Sequence, residues 1–371
     1  MSGGVDSSVV AALLAEQGHQ VVGATLQLYD HGAASQKKGA CCAGQDIHDA
    51  RRVADLLDIP HYVLDREARF RSAVMQDFAD SYAAGETPIP CIRCNQTVKF
   101  HDLTLLARDL GCEALATGHY ARRVAGADGP ELHMAADPVR DQSYFLFATT
   151  RDQLDFSRFP LGDYPDKPAV RAVAVRLGLA VAEKPDSQDI CFVPAGKYHE
   201  TVARLRPDAA EAGEIAHLDG RVLGRHAGVA RVTVGQGRGL GTASRDGDQP
   251  LYVAGIDAGR RRILVGPRAA LPLAAITVAE VNWLAPPPAE ALRCQVKFRA
   301  REAPQPATID WDAAFGLLRV CPDVPAIAAP GQACVFYAAG RVLGGGFIRA
   351  TGTRLMGPST GLPNVDGTAR H

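Results

Sequence analysis

Long apolar runs are missing from this sequence of 371 residues. The most apolar stretch, Leu271–Leu292, is broken by Glu280, Asn282 and three consecutive prolines, whereas a membrane helix needs about 20 largely uninterrupted apolar residues. Asp6 and Glu16 lie where a secretory signal would have its apolar core. We therefore expect no signal peptide, no membrane partner and a cytoplasmic location.

Net charge and lysine are also scarce. The formal net charge is −1, with 7 lysines against 33 arginines. Residues 1–190 hold 19 basic and 26 acidic side chains, whereas residues 191–371 hold 21 and 15. An acidic half followed by a basic half predicts a division of labour with a polyanion at the basic half. Simple drift in surface composition would produce the same split.

The cysteine count argues against a disulfide framework. The chain has nine cysteines, an odd number, and no predicted secretory signal, so reduced, metal-binding or catalytic thiols are expected. Hydrophobic residues make up 47% and charged residues 22%, which excludes a disordered or fibrous chain. The length predicts two or three domains.

The first half alternates between strand and helix patterns, which predicts an α/β fold with a parallel sheet covered by helices. Ligands of such sheets bind at the carboxyl ends of the strands. The predicted strands are Val21–Tyr29, His61–Leu64 and Ala114–Ala116, and the predicted helices are Asp46–Leu57, Ala68–Tyr82, Asn95–Leu110 and Lys167–Leu177.

After about residue 200, short β-rich runs separated by glycine and proline predict small antiparallel barrels or sandwiches. The expected domains are 1–200, 201–270 and 271–350, followed by a loose tail at 351–371. The predicted strands are Val229–Val234, Leu251–Ile256, Arg262–Val265, Ala275–Trp283, Arg293–Phe298, Ala333–Ala338 and Arg341–Ile348.

The chain opens with the string SGGVDSS at residues 2–8, ahead of an apolar helix pattern. Two glycines let the backbone curl around an anion, and the helix presents free amides to a phosphate. Asp6 serves either to place magnesium or to cap the helix. Such a loop should follow a buried strand, so we expect an N-terminally extended chain to be more stable and more active.

A second motif, Cys91-x-x-Cys94, stands just before a predicted helix with Asn95 as its cap. A thiol at a helix N-terminus beside Arg93 should have a lowered pKa. Far downstream, the string KPDSQDICF at 184–192 predicts an exposed loop that carries Cys191.

Together these motifs resemble the bacterial tRNA-specific 2-thiouridylases of the ATP pyrophosphatase superfamily. The resemblance extends over nearly the whole chain through the strings ATGHY (116–120), DQSYFL (141–146), GQGRGLG (235–241) and PGQACVFY (330–337). It implies an adenine-nucleotide alpha-hydrolase-like N-terminal domain followed by two small β-rich domains.

The resemblance also implies a reaction. ATP, with Mg²⁺, adenylates the C2 oxygen of the wobble uridine, so that AMP becomes the leaving group. Cys191 then carries a persulfide received from a sulfur-relay protein or a cysteine desulfurase, and Cys94 helps to release the sulfur and can close a disulfide with Cys191. Cys91 stands where the family often has an acid/base aspartate, and its thiol is a weaker acid.

Further site residues follow from the matching motifs. His119 could also be an ordinary strand-end histidine, and Gln332 a turn residue. The positions implied to bind ATP are Ser2, Gly3, Gly4, Val5, Asp6, Ser7, Leu26 and Gly118. Those implied to contact tRNA are Ile89, Pro90 and Cys91 at the target base, His119, Arg140, Asp141, Gln142, Arg299, Ala300 and Gln332. Position 300 lacks the family's aromatic residue.

Other interpretations stay open at this stage. Cys91, Cys94 and Cys191 could instead ligate an iron–sulfur cluster. The chain could be a tRNA-binding module with a relic ATP loop, or an amidotransferase-like relative such as argininosuccinate synthase or a GMP synthase. No separate metal site is predicted, although Cys41-Cys42 could have a redox or metal role. Packing roles are predicted for Cys112, Cys294, Cys321 and Cys334.

The basic stretches predict that tRNA binding weakens steeply with salt. The densest are Arg260–Arg262 and Arg293–Arg301.

Overall fold

The fold is described from a computed structural model, which describes residues 1–29, 42–186, 190–193 and 198–349. The tail predicted at 351–371 lies outside this part of the chain. Within it, no helix is both long and apolar enough to cross a membrane.

The N-terminal region has the predicted α/β character. Strand β1 pairs in parallel with β2, and β3 pairs in parallel with β6. The strands here are β1 Gly23–Gln27, β2 His61–Asp65, β3 Leu115–Ala116, β4 Arg122–Gly126, β5 Gly129–His133 and β6 Ser157–Arg158. The α-helices are α1 Val5–Glu16, α2 Cys42–Leu56, α3 Glu67–Phe70, α4 Gln76–Ala83, α5 Pro90–Cys94, α6 Phe100–Asp109, α7 Arg151–Phe156, α8 Lys167–Arg176 and α9 Tyr198–Leu205.

Two π turns join helices of this region. Arg71–Met75 connects α3 to α4, and Asn95–Lys99 connects α5 to α6. The helical segment therefore begins at Pro90 and runs through both cysteines of the Cys-x-x-Cys motif. The prediction that Asn95 caps the helix is wrong: it lies inside the helical segment, buried, and its Nδ2 donates to the Phe145 carbonyl at 3.1 Å.

A five-stranded sheet follows, in the order β8-β7-β11-β10-β9. Its strands are β7 Gly213–His217, β8 Val222–His226, β9 Arg245–Asp246, β10 Gln249–Asp257 and β11 Arg262–Pro267. The strand predicted at Val229–Val234 is wrong. Residues Val229–Arg231 form a short 3₁₀ helix, and the apolar side chains of this run are buried in the core of the sheet and its neighbours.

The C-terminal region is a closed antiparallel barrel, because β12 pairs with both β15 and β17. The hairpin β4–β5 from the N-terminal region continues the sheet, with His133 of β5 opposite Arg341 of β17. The barrel strands are β12 Ile276–Trp283, β13 Leu292–Lys297, β14 Gln305–Asp312, β15 Leu317–Pro322, β16 Ala333–Ala338 and β17 Arg341–Ile348. The sequence patterns predicted neither β14 nor β15.

Arg93 fastens the cysteine-bearing helix to the barrel. Its guanidinium pairs with Glu280 at 2.8 Å and with Asp77 at 3.6 Å. It also lies 4.1 Å from the ring centroid of Phe347. Glu280 has a φ of +51°, at the point where β12 shifts register against β17. The bulge in β12 thus presents a carboxylate to the helix.

Arg93→Met should lower stability, because it removes the cation that pairs with Asp77, leaves Glu280 with Arg349 as its one remaining cation among the described residues, and removes the cation–π contact. We expect a loss of about 1 kcal/mol, seen as a lower melting temperature. Arg108→Met is the matched control, since Arg108 also pairs with a carboxylate and lies over a ring, but at a more exposed place. Equal melting temperatures for the two variants would contradict the prediction.

Candidate active site

The opening motif forms a tight loop before helix α1. Gly3 has a φ of +68°, and a Cβ built on it would lie 2.2 Å from the Asp46 carbonyl oxygen, so no side chain fits there. The Ser2 amide donates to the Ser7 hydroxyl at 3.0 Å. The loop leads into α1, whose first amides point to the space before Val5. This arrangement suits an anion such as a phosphate.

Residues 116–120, with the sequence ATGHY, pack against this loop and the start of α1. Strand β3 ends at Ala116, and a Cβ built on Gly118 would lie 2.9 Å from the Ser7 nitrogen. The backbone of residue 118 can therefore approach α1 only as glycine. Leu26, near the end of strand β1, is partly buried in the same region of the molecule as Cys94. The residues implied to hold ATP thus come from the ends of β1 and β3 and from the start of α1.

Met1 lies alongside β1. The Thr25 hydroxyl donates to the Met1 carbonyl at 2.6 Å, and the Met1 amino group donates to the Ala24 carbonyl. Residues 1 and 2 therefore lead from beside this strand into the glycine-rich loop at residues 2–8, which is called the phosphate loop below. The expectation that an extended chain is more stable and more active stays a prediction.

The Asp6 carboxylate is held by two side chains. Lys167 donates to both of its oxygens at 2.7 and 2.8 Å, and the Tyr120 hydroxyl donates to Oδ1 at 2.8 Å. Lys167, at the start of α8, also pairs with Asp186 at 2.9 Å. Asp186 in turn accepts a hydrogen bond from Arg140 at 2.7 Å.

A second lysine ties the phosphate loop to the segment that leads to Cys191. Lys184 donates to the Gly3 carbonyl at 2.9 Å, to Asp46 at 2.7 Å and to Asp49 at 2.6 Å. These bonds raise the pKa of Lys184 even though burial lowers it. Residues 184–186, which belong to the string that carries Cys191, are therefore anchored to the phosphate loop through both lysines.

Cys94 and the neighbours of Cys191 share one apolar cluster. Cys94 is buried among Val98, Phe192 and Val193, and Ile190 packs at the edge. Phe192 stands edge-on to Phe78 with ring centroids 5.2 Å apart. Cys191 itself is exposed, as predicted, and so is Cys91, and all three thiols are free.

The prediction of a lowered pKa for the thiol at the helix is wrong for Cys94. Burial raises the pKa of Cys94, and Lys99 opposes the rise. Cys94 lies at the end of the first helical turns rather than at their start, which removes it from the favourable end of the helix dipole. Although Cys191 is exposed at the surface, desolvation by the protein around its sulfur raises its pKa to about 12, again opposed by Lys99.

His119 faces the same helix from the end of β3. Its ring stacks on Phe100 with centroids 5.8 Å apart, and Nδ1 lies 2.9 Å from the Thr117 hydroxyl. Burial, followed by the charge of Lys99, lowers the pKa of His119 to about 3. The imidazole is therefore neutral at physiological pH.

Several residues implied to contact tRNA have partners within the chain. The Asp141 carboxylate accepts from the Ala135 and Ser143 amides, while Gln142 Oε1 accepts from the Tyr120 amide at 2.9 Å. Because the side chain of Asp141 is buried in the protein, only the main chain of this position is placed to reach a partner.

The segment before Cys91 is clamped by the barrel. Gln332 Nε2 donates to the Thr87 carbonyl at 2.8 Å, and the Thr87 amide donates to the Pro330 carbonyl at 2.7 Å. Ile89 and Pro90 follow directly and lead into α5. Arg299 is exposed, whereas Ala300 packs against the core beneath.

The iron–sulfur alternative finds no preformed ligand set. Outside residues 30–41, 187–189, 194–197 and the tail, no three Cys, His, Asp or Glu side chains converge closely enough to hold a metal ion. Cys294 and Cys334 are buried in the barrel, which confirms their packing role, while Cys112 and Cys321 are half-buried. The side chains of the Cys41-Cys42 pair lie outside the described residues.

Comparison with known proteins gives a consistent result. Residues 1–195 match the tRNA methyl transferase HUP domain, residues 200–267 the tRNA methyl transferase PRC-barrel domain, and residues 274–348 the aminomethyltransferase beta-barrel domain. The chain is 65% identical over 348 residues to the tRNA-specific 2-thiouridylase MnmA of Acidiphilium cryptum, covering 94% of this chain and 98% of that protein. This chain belongs to the tRNA-specific 2-thiouridylase family.

Other members of the family are similarly close. The protein of that name from Rhodospirillum centenum is 62% identical over 353 residues, covering 94% of this chain and 90% of that protein. The one from Gluconobacter oxydans is 59% identical over 354 residues, covering 94% and 98%. The 2-thiouridylase resemblance seen in the motifs is therefore confirmed, as are the HUP-type N-terminal fold and the two β-rich regions that follow it.

The sequence analysis missed four charged residues of the site. Lys184 and Asp186 lie inside the string quoted for Cys191, so their nearness to that thiol was a usable signal. Lys99 lies five residues after Cys94, and residues at that spacing do not share a face of a regular α-helix. Lys167 had no local signal, because its contacts with Asp6 and Asp186 arise only in the folded chain.

The low pKa of His119 predicts acid sensitivity. An unfolded histidine binds a proton near pH 6.5, whereas the folded ring does so near pH 3. The unfolded state is thus favoured as the pH falls below 6.5, by about 2 kcal/mol at pH 5. His119→Gln should lose less stability between pH 7.5 and pH 5 in urea unfolding. A loss equal to that of the parent protein would refute the assignment.

Proposed function

We propose that this chain thiolates tRNA, replacing the C2 oxygen of the wobble uridine with sulfur in an ATP-dependent reaction. The observation that carries the proposal is that an anion-binding loop and the segment with Cys191 are held together at one site. A glycine-rich anion loop is ion-paired, through Lys167 and Asp186, to the segment that presents Cys191. The same segment packs its Phe192 against Cys94.

The ATP site is proposed to consist of residues 2–7 with Leu26 and Gly118. The steric limits at Gly3 and Gly118 hold the loop against the Asp46 backbone and residue 118 against the start of α1, because no side chain fits at either contact. Such a tightly held loop fits a fixed phosphate site. Asp6 supplies a carboxylate in the first turn of α1, and Mg²⁺ on a nucleotide needs only one or two such ligands. Bound ATP would turn the C2 oxygen of the uridine into a leaving group.

The sulfur step is assigned to the thiols. Adenylation of the C2 oxygen releases pyrophosphate. A persulfide on Cys191, received from a sulfur-relay protein or a cysteine desulfurase, attacks C2 of the uridine with its outer sulfur, and the bond from C2 to its oxygen breaks as AMP leaves with that oxygen. The Cys94 thiolate then attacks Sγ of Cys191. A disulfide forms between the two cysteines, the bond to the transferred sulfur breaks, and its electron pair leaves with the 2-thiouridine. An external thiol reductant restores both cysteines for the next turnover.

Cys91 and His119 are assigned to the target base. Cys91 is exposed and lies in the same short helix as Cys94. The neutral imidazole of His119 can stack on the base or hydrogen-bond to it without adding charge. We propose further tRNA contacts at Ile89, Pro90, residues 140–142, Arg299, Ala300 and Gln332. The basic stretches contribute less than their count implies, because Arg261, Arg262 and Arg293 already pair with carboxylates.

We also propose the domain bounds 1–200, 201–270 and 271–350. The five-stranded sheet β7–β11 and the barrel β12–β17 support the last two. The hairpin β4–β5 belongs to the first domain by sequence and to the barrel sheet by pairing, so the first and third domains should unfold together.

Cys191→Ser should abolish formation of 2-thiouridine, because serine cannot carry a persulfide. The assay uses unmodified tRNA, ATP, Mg²⁺ and a persulfide-loaded donor, with mass spectrometry of the nucleosides. Cys112→Ser and Cys321→Ser are matched controls at half-buried positions away from the site, and both should keep the activity.

Two outcomes of this assay would count against the proposal. Full activity of the Cys191 variant would remove its sulfur-carrying role. Absence of both 2-thiouridine formation and tRNA-dependent ATP–pyrophosphate exchange in the parent protein would favour the tRNA-binding module without catalysis.

Gly118→Ala should weaken ATP binding about tenfold or more, because its Cβ would push the start of α1 away from the phosphates. Gly259→Ala is the control, since the nearest atom to its added Cβ would be Asp257 Oδ1 at an ordinary 3.7 Å. Calorimetric titration with ATP measures both. Unchanged affinity in the Gly118 variant at an unchanged melting temperature would contradict the assignment.

A further inference from the structure

Lys99 lies beside the thiols and has no acidic partner among the residues that the structure describes. Lys99 is half-buried at the end of the π turn that follows Cys94. In the part of the chain that the structure describes, no carboxylate or hydrogen-bond acceptor pairs with its ammonium group, whereas Lys167 and Lys184 each pair with two carboxylates. A partly desolvated and unpaired cation is unfavourable, so this position suits an anion that forms during the reaction.

The π turn brings Lys99 to the thiol side of the helix. In a regular α-helix, residues five apart point about 140° away from each other. In the turn Asn95–Lys99 the Phe100 amide bonds to the Asn95 carbonyl instead, and this wider hydrogen bond aligns positions five apart. Cys94 and Lys99 are separated by five positions and therefore share a face.

The neighbours of Lys99 fix its surroundings. Val98 packs in the cluster with Cys94 and Phe192, and Phe192 follows Cys191 directly. Phe100 stacks on His119. Lys99 thus lies between the apolar cluster that buries Cys94 and the ring expected at the target base.

The electrostatics agree with this placement. The groups that act on Lys99 are Cys94 and Cys91 from its own helical segment and Cys191 from the facing segment, and they raise its pKa against the effect of burial. In return, Lys99 opposes the effect of burial on the pKa of Cys94 and of Cys191. From the end of β3, His119 faces Lys99 as a neutral ring.

We propose that Lys99 is the counter-ion of the sulfur anions that form on Cys94 and Cys191 during sulfur transfer. The inference rests on the proposed thiouridylase reaction. Lys99 keeps its proton throughout and exchanges no electrons. It stabilises the Cys94 thiolate that attacks Sγ of Cys191, and the persulfide anion that precedes it.

The first test measures the reactivity of the Cys191 thiol in the absence of tRNA and ATP. Alkylation of the exposed Cys191 by iodoacetamide is followed by mass spectrometry between pH 7 and 10. Removing an adjacent cation raises a thiol pKa by about one unit or more, so Lys99→Met should react about tenfold more slowly at each pH. Lys99→Arg keeps the charge and should remain within about threefold of the parent. Equal rates for the methionine variant and the parent would overturn the proposal.

The second test measures the rate of sulfur transfer to tRNA. Single-turnover thiolation by Lys99→Met should fall at least about tenfold at pH 7.5, in step with its slower alkylation, because both rates depend on the fraction of thiolate. Lys99→Arg should keep most of the activity. A loss of thiolation in Lys99→Met at an unchanged alkylation rate would assign Lys99 to a phosphate of the substrates instead and overturn the proposal. Failure of the parent protein to make 2-thiouridine would refute the proposed function, while the alkylation result would stand.

Discussion

The ion pairs around Asp186 are the constraint on which the site depends. This carboxylate joins Lys167, Arg140 and Arg171, and although burial raises its pKa, the hydrogen bonds from Lys167 and Arg140 lower it overall. Lys167 continues the chain of charges to Asp6 in the phosphate loop. The loop that would hold the nucleotide and the segment that leads to Cys191, the proposed sulfur carrier, are thereby joined by one network of ion pairs. A change in charge at the phosphate loop would alter the electrostatic potential at that loop and at the segment that leads to Cys191.

The cysteine-bearing helix has a second attachment, to the barrel. Ile92 and Phe100 are fully buried in a core that also contains Tyr337 and Phe347 of β16 and β17. Because this core is shared, the helix cannot move independently of the barrel strands, and the Arg93–Glu280 pair adds a polar contact at its edge. A macromolecule bound across the barrel would therefore act on the helix that holds Cys91 and Cys94.

The sequence predicted more of the chemistry than of the geometry. Strings such as SGGVDSS and the paired cysteines identify a family, and alternating patterns predicted β1, β2 and most barrel strands. It could not predict the π turn after Cys94, because helical periodicity assumes 3.6 residues per turn. It could not place hairpin β4–β5 in the barrel sheet, since this pairing joins residues about 200 positions apart. The apolar run from Val229 resembled a strand because a buried 3₁₀ turn carries the same composition.

The charge balance of the site explains how its thiols are kept protonated before the reaction. In water a thiol loses its proton readily at moderate pH, but a standing thiolate is open to oxidation and to side reactions. Here burial raises the pKa of Cys94 and Cys191, while His119 stays neutral. The unpaired charge of Lys99 then favours a sulfur anion at this one place. Such a site holds its thiols protonated until the reaction itself generates the anion, and it limits thiolate chemistry to the step at which the substrate is in position.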